Sequence, residues 1–463
     1  MYRGIIFALV PFFLLFTGCQ KNLSQDYNLP QDPNIQVFFN HRSTGKEQYT
    51  DPYRKIQRPG DNLEAVIIEA INSAESSIDV AVQEFQLPEI AIALRKKQQQ
   101  GITIRVIIDN NYSRSWSDYS RQDINQLPAR ERDRYKQYFK LIDVNQDGSL
   151  SKKEIATRDA LFILKNAGIP VIDDTADGSK GSGLMHHKFI VIDRKIVLTG
   201  SANFTLSGIH GDFSNPKTRG NVNNLLKINN PKLAKLFTEE FNYMWGDGVG
   251  GSKNSQFGLD KPWRSPKTIT WDNTSITVQF SPTSKKQDWQ LSTNGLIGKT
   301  LENGISSINL ALFVFSEQEL ADILQGEAQE GVKIKAVIDK EFIFRNYSEG
   351  LDMLGIALTK NCQYELNNNP WQTPIKTVGI ADLPVGDKMH HKFAIVNSDI
   401  VIAGSHNWSN TANLNNDETL LVIKNTTVAK HFLQEFSHLY QTANLGIPQY
   451  LKNKIAKQEK QCS

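Results

Sequence analysis

Cysteine is scarce in this chain, with three among 463 residues, at positions 19, 362 and 462. So few thiols cannot build the network of bridges that holds small secreted domains together, and the fold must rest on a hydrophobic core. Cys362 and Cys462 are left either to pair in an oxidising compartment or to remain two thiols. Long apolar runs are also missing. The most apolar stretch, Ile5 to Phe16, spans 12 residues, short of the roughly 20 that a membrane-crossing helix needs. An excess of one charge is missing too: 52 lysines and arginines face 49 acids, so charge alone selects neither nucleic acid nor lipid as a partner. Hydrophobic residues at 39% and charged ones at 22% exclude a disordered or fibrous chain. The length suits two domains or one large duplicated domain.

The N-terminus, MYRGIIFALVPFFLLFTGCQ, sets Arg3 before that apolar run and small residues before Cys19. This is the grammar of an export signal. Gly18-Cys19 resembles a bacterial lipobox, with Phe16 where leucine is usual; a plain cleaved signal and a retained anchor are the alternatives. The expectation is a signal over 1–19, lipidation at Cys19, and a polar tether over 20–34. It implies an exported lipoprotein, membrane-anchored in the bacterial cell envelope or periplasm.

The remainder is internally repeated. Ser77 and Ser307, Phe85 and Phe315, Gly101 and Gly331, and Asp109 and Asp339 are each 230 positions apart in matching surroundings. LMHHKFIVIDRKIVLTGSANFT, around His186, then matches KMHHKFAIVNSDIVIAGSHNWS, around His390, at an offset of 204. The first half therefore holds 26 extra residues, 230 less 204. Short Val- and Ile-rich runs alternate with helical periodicity, which predicts an α/β sandwich in each half. The predicted halves are 35–245, with an insertion over about 112–157, and 275–445. A Gly-, Ser- and Pro-rich linker covers 246–274 and a tail 446–463.

Two-residue alternation along a strand sends His186 and Lys188 to one face, and His187 and Phe189 to the other. After a turn at Asp193, Ser201 and Asn203 share a face in the same way. His390, Lys392, Ser405 and Asn407 repeat the pattern, while His187 and His391 are expected only to pack. Two ammonium groups and two amides suit the non-bridging oxygens of a phosphoryl group, and two imidazoles supply a nucleophile and an acid. A lysine beside each histidine opposes a zinc site.

These blocks resemble the signature of the phospholipase D superfamily, His-x-Lys-x4-Asp followed by Gly-Ser-x-Asn. His186, Lys188, Asp193, Gly200, Ser201 and Asn203 match it; His390, Lys392, Gly404, Ser405 and Asn407 match the second copy, in which Asn397 replaces the aspartate. The resemblance implies two similar α-β-α sandwich halves packed as a pseudo-dimer around one active site, in one monomeric chain. It also implies a metal-independent phosphodiesterase working through a phosphohistidine, with no cofactor for catalysis. In that family an acid downstream of Gly-Ser-x-Asn orients the opposite histidine. Glu418 fits this position and Asn223 is its first-half counterpart. The expectation is that His186 is the nucleophile and that His390, lacking an acid, begins protonated and serves as the general acid. Phospholipid is the favoured substrate, phosphatidylcholine or cardiolipin in type. DNA or RNA is the alternative with the same chemistry, and an inactive phosphate-binding module the alternative of another class.

The insertion contains DVNQDGSLSKKE, which resembles an EF-hand loop. Asp143, Asn145, Asp147 and Glu154 would supply side-chain oxygens to Ca2+, Ser149 its backbone carbonyl, and Gly148 the sharp turn.

Overall fold

The computed structural model describes residues 29–42 and 48–462; the expected signal segment, Cys19 and most of the tether lie outside the described residues. Among the described residues no helix is long and apolar enough to cross a membrane.

The Val- and Ile-rich runs form two twisted sheets with matching strand order. In the first, the order across the sheet is Ile35–Phe39, Asn224–Asn229, Ile196–Gly200, Lys188–Ile192, Ser77–Val82, Thr103–Ile108 and Val171–Asp173. The second places Thr274–Phe280, Thr419–Lys424, Ile400–Gly404, Lys392–Val396, Ser307–Leu312, Lys333–Ile338 and Val378–Ile380 in equivalent places, and adds an edge strand at each end. Ser77–Val82 and Thr103–Ile108 run parallel because the helix Pro88–Gln99 carries the chain back between them. The two histidine-bearing strands each turn antiparallel into the Gly-Ser strand that follows.

Each half closes with a long amphipathic helix, Pro231–Trp245 or Thr426–Gln441. Both begin at an asparagine, Asn230 or Asn425, whose side chain accepts the N–H three residues on, satisfying an otherwise orphaned donor. These helices lie between the two sheets. One core unites them with the inner sheet faces, while two outer cores lie under the helices on the far sides. Ring contacts cross the seam: Phe39 meets Phe432 at 5.1 Å and Phe237 meets Phe280 at 5.2 Å. The expected pseudo-dimer of α-β-α halves is the observed architecture.

Two of the expected boundaries change. The stretch 246–274 is more than a linker, because Lys267–Trp271 forms an edge strand on Thr274–Phe280 and Lys261 reaches inward to Asp417 at 2.7 Å and to Glu240. Nor is 446–463 a loose tail. Gln449–Cys462 is a helix whose Leu451 is buried in the second outer core, and Cys462 is disulfide-bonded to Cys362.

Within the insertion, helices Ala129–Ile142 and Lys152–Arg158 flank the acidic loop. The loop folds upon itself. Asp143 accepts the N–H groups of Asp147 and Gly148, Asn145 that of Asp147, and Asp147 that of Ser149. Glu154 accepts those of Val144 and Asn145 with one oxygen and caps the second helix with the other. Among the described residues no group of three or more His, Cys, Asp or Glu side chains is arranged to hold a metal ion.

The disulfide spans 100 residues of sequence, and a cross-link of that reach stabilises by about 2–4 kcal/mol, chiefly through the unfolded chain. Reduction, or Cys462→Ser, is expected to lower the melting temperature and expose the last helix to protease. An unchanged melting curve and protease pattern would show that the bridge contributes nothing.

Candidate active site

The site forms where the halves exchange backbone. Entering its strand, His186 donates its N–H to the Asp417 carbonyl at 2.9 Å, and His390 donates to the Val222 carbonyl at 3.2 Å. Asp109 and Asp339, at the ends of equivalent parallel strands, each accept the N–H just before the histidine, from Met185 and Met389, both at 2.9 Å. A histidine of one half is thereby stitched to the loop of the other that carries position 418 or 223.

Across that seam His186 Nδ1 lies 2.7 Å from Glu418 Oε2, and His390 Nδ1 lies 2.9 Å from Asn223 Oδ1. The amide of Asn223 has a fixed sense because its Nδ2 donates to the carbonyls of Gly208 and Asn221. Its oxygen must therefore accept from His390 Nδ1–H. Each imidazole donates from Nδ1 and, when neutral, keeps the Nε2 lone pair for chemistry. The lysines lie beside them. Lys188 donates to the His186 carbonyl at 2.8 Å and Lys392 to the His390 carbonyl at 2.7 Å; both ammonium groups are buried.

Three expectations about individual residues are corrected. Asp193, which the family signature groups with His186 and Lys188 as a catalytic residue, sits at the opposite end of the histidine strand, roughly 23 Å from His186 at strand rise. Its carboxylate caps the turn at 75–77, accepting N–H groups from Glu75, Ser76 and Ser77. Asn397 does the same with Ile305 and Ser306, which explains why aspartate and asparagine interchange there. Ser201 and Ser405 do not offer free hydroxyls: they donate to Asn223 and Glu418, both at 2.7 Å, and so hold the groups that orient the histidines. Asn203 reaches Gln83 beside Lys188, and the amide oxygens of Asn203 and Asn407 are both buried without a hydrogen-bond partner among the described residues. His187 and His391 pack as expected, against Thr419 and Glu240 and against Asn224 and Glu435.

The third correction concerns charge. Burial, then Lys188 and Lys392, hold His186 well below the ordinary imidazole value. The same burial, with Lys392, Lys188 and His186, does so for His390. Burial first, and the lysine cations second, thus favour a neutral His390 in the free protein. Burial pushes Lys188 down to about 8 against the pull of Glu418, Glu84 and Asp109, and pushes Lys392 well below its usual range. Burial also raises Glu418, opposed by His406, Lys188 and hydrogen bonds from Ser405 and Asn416. Two buried cations facing two neutral imidazoles form a receptor for an anion, and an arriving phosphate would raise all four groups together.

Two residues that line this site went unread in the sequence. Gln83 lies 3.4 Å from Lys188 Nζ and 3.3 Å from Asn203 Nδ2. Phe313 packs on His390 with centroids 4.7 Å apart. The 230-residue offset relates the two positions, and that spacing is the signal that could have found them.

The family described as "Cardiolipin synthase, PLD-like domain" matches residues 67–245 and 297–440. Among characterised proteins the chain is 31% identical over 136 residues to a mitochondrial cardiolipin hydrolase of Mus musculus, covering 29% of this chain and 52% of that protein. It is 27% identical over 175 residues to a phospholipase D of Rickettsia prowazekii, covering 38% of this chain and 58% of that one. The chain thus spans about half the length of the relatives it matches. The solved phosphatidylserine synthase of Haemophilus influenzae superposes with a TM-score of 0.54 at 13% identity, covering 94% of this chain and 96% of that one, a likeness of fold across both halves.

In imidazole NMR of the free protein, His186 and His390 are expected to stay neutral to well below pH 6.5, with added tungstate or phosphate moving both titrations upward. Titration at or above pH 6.5 without an anion would contradict the lowering by burial and the neighbouring lysines.

Proposed function

The chain belongs to the PLD-like family, and from that premise we propose that it is a metal-independent phosphodiesterase that cleaves P–O bonds in two steps. The observation that carries the reading is the unequal partnering of two buried histidines, Glu418 on His186 and Asn223 on His390. Glu418 holds His186 as the Nδ1–H tautomer and stabilises the positive charge that grows when Nε2 attacks phosphorus. As the P–N bond forms, the bond to the leaving oxygen breaks and its electron pair takes the proton from His390 Nε2. His390 gains that proton when the anionic substrate enters, since the phosphate reverses the repulsion from the lysines. In the second step His390 takes a proton from water, the water oxygen attacks phosphorus, and the P–N bond breaks to return neutral His186. Lys188, Lys392, Asn203 and Asn407 hold the phosphoryl oxygens, supplying the charge stabilisation that a metal supplies elsewhere.

Phospholipid is the substrate class we favour, of phosphatidylcholine or cardiolipin type. The matched relatives are named for cardiolipin and phospholipid cleavage, and the second half presents exposed apolar side chains, Tyr364, Leu366 and Val385, in loops outside its sheet. An exported protein tethered through Cys19 fits the N-terminal pattern and the Cys362–Cys462 bridge, which persists in oxidising compartments. One chain holds both histidines, so a monomer suffices.

The reading is tested on bis(p-nitrophenyl) phosphate, phosphatidylcholine, cardiolipin, and single- and double-stranded DNA, all in excess chelator. Hydrolysis of a lipid should persist, and acid-labile phosphate should be trapped on His186. Loss of activity that magnesium or zinc restores would overturn metal independence; trapping on His390 alone would reverse the assignment; turnover of DNA alone would replace the substrate.

Calcium at the acidic loop belongs to the same proposal. Asp143, Asn145, Asp147 and Glu154 are oxygen donors suited to a hard cation, with the Ser149 carbonyl in support, once they leave the backbone N–H groups they accept. Millimolar calcium should raise the melting temperature by mass action and Glu154→Gln should abolish that rise; an unchanged wild-type curve would leave the loop as a turn.

A further inference from the structure

We propose that Phe313 and Gln83, which occupy one position in the two halves, are the positioning residues that divide the work between the two histidines. The inference rests on the reading in which His186 attacks and His390 donates the proton.

The backbones at this position are equivalent. Gln83 donates its N–H to the His187 carbonyl at 3.1 Å, and Phe313 donates to the His391 carbonyl at 2.8 Å. What differs is the side chain. On the His186 side, the Gln83 oxygen faces both the Lys188 ammonium and the Asn203 amide. It fixes the direction of two donors that would hold phosphoryl oxygens, and leaves the imidazole to Glu418. On the His390 side, the Phe313 ring lies at 60° to the imidazole, and Lys392 Nζ stands 4.9 Å from its centroid. Phe342 backs the ring at 4.7 Å.

An aromatic face favours a cation without accepting a localised proton. Lys392 can therefore rest on Phe313 and keep N–H groups free for phosphate. His390 can be held in one plane whether neutral or protonated. A carboxylate in that place would bind the proton too firmly to release it, and a carboxamide would compete for Lys392 as Gln83 does for Lys188. The histidine oriented by the acid thus also has the polar neighbour nearby, and the histidine oriented by the amide has the aromatic one.

Turnover of phosphodiesters with p-nitrophenolate and with simple alkoxide leaving groups separates the two roles, since only the alkoxide needs a proton as it departs. Phe313→Leu and Phe313→Gln should slow the alkyl substrates about tenfold, the scale of a desolvated cation–aromatic contact, while p-nitrophenyl turnover falls less than threefold. Gln83→Ala should slow both classes in parallel. Equal losses on both classes for the Phe313 variants, or no loss, would overturn the proposal. His390→Asn and His186→Asn run alongside. If p-nitrophenolate fails to rescue His390→Asn, the underlying assignment is wrong; if it rescues that variant while the Phe313 variants show no leaving-group dependence, only the present inference falls. Phe313 is half-buried, and melting curves of both substitutions identify any loss due to unfolding.

Discussion

The arrangement depends on keeping two ammonium groups and two imidazoles together out of water. Burying one such group is costly and burying four of like tendency is more so, so everything around them offsets that cost. The lysines spend a hydrogen bond on the carbonyl of their own histidine. Glu418, buried and held by Ser405 and Asn416, supplies, among the described residues, the one carboxylate hydrogen-bonded to His186 or His390. Asp109 and Asp339 stand farther out, tied to the backbone that feeds the histidine strands. The residual strain is electrostatic, and in the proposed reading an anionic substrate would relieve it.

Symmetry of backbone and asymmetry of side chain coexist throughout. Strand order, helix caps, turn caps and the bridges across the seam repeat in both halves. Beyond the insertion, the added edge strands and the last helix, side-chain departures surround the histidines: Glu418 against Asn223, Phe313 against Gln83, His406 against Ala202. His406 is buried, bonded to Asn294 at 2.8 Å and pushed down to about 4 by burial, so it enters as a neutral ring.

The halves were legible because duplicated segments kept constant spacing, and the site because strand alternation puts residues two apart on one face. Glu418 was legible only through resemblance. Asp193 misled because it belongs to the same run of residues as His186, yet the strand carries it to the far end, where its work is to close a turn. Gln83 and Phe313 escaped because they follow their strands as unlike residue types, so that the 230-residue offset pairs them by position and not by chemistry. The last helix reads as polar sequence; Leu451 and a bridge to Cys362 hold it, and neither is a local pattern. Lys261 lay hidden in a run of glycine and serine because its partners, Glu240 and Asp417, are distant in sequence.

The crossing of orienting groups between halves bears on what each could do alone. Two first halves, assembled as a homodimer, would set each His186 against an Asn223, with amides on both sides and no carboxylate. Two second halves would set each His390 against a Glu418, with two anions beside two aromatic walls. Neither symmetrical assembly contains this site. Fusion into one chain, sealed by Lys261 reaching from the connecting segment to buried acids in each half, freed each copy to lose what the other retained.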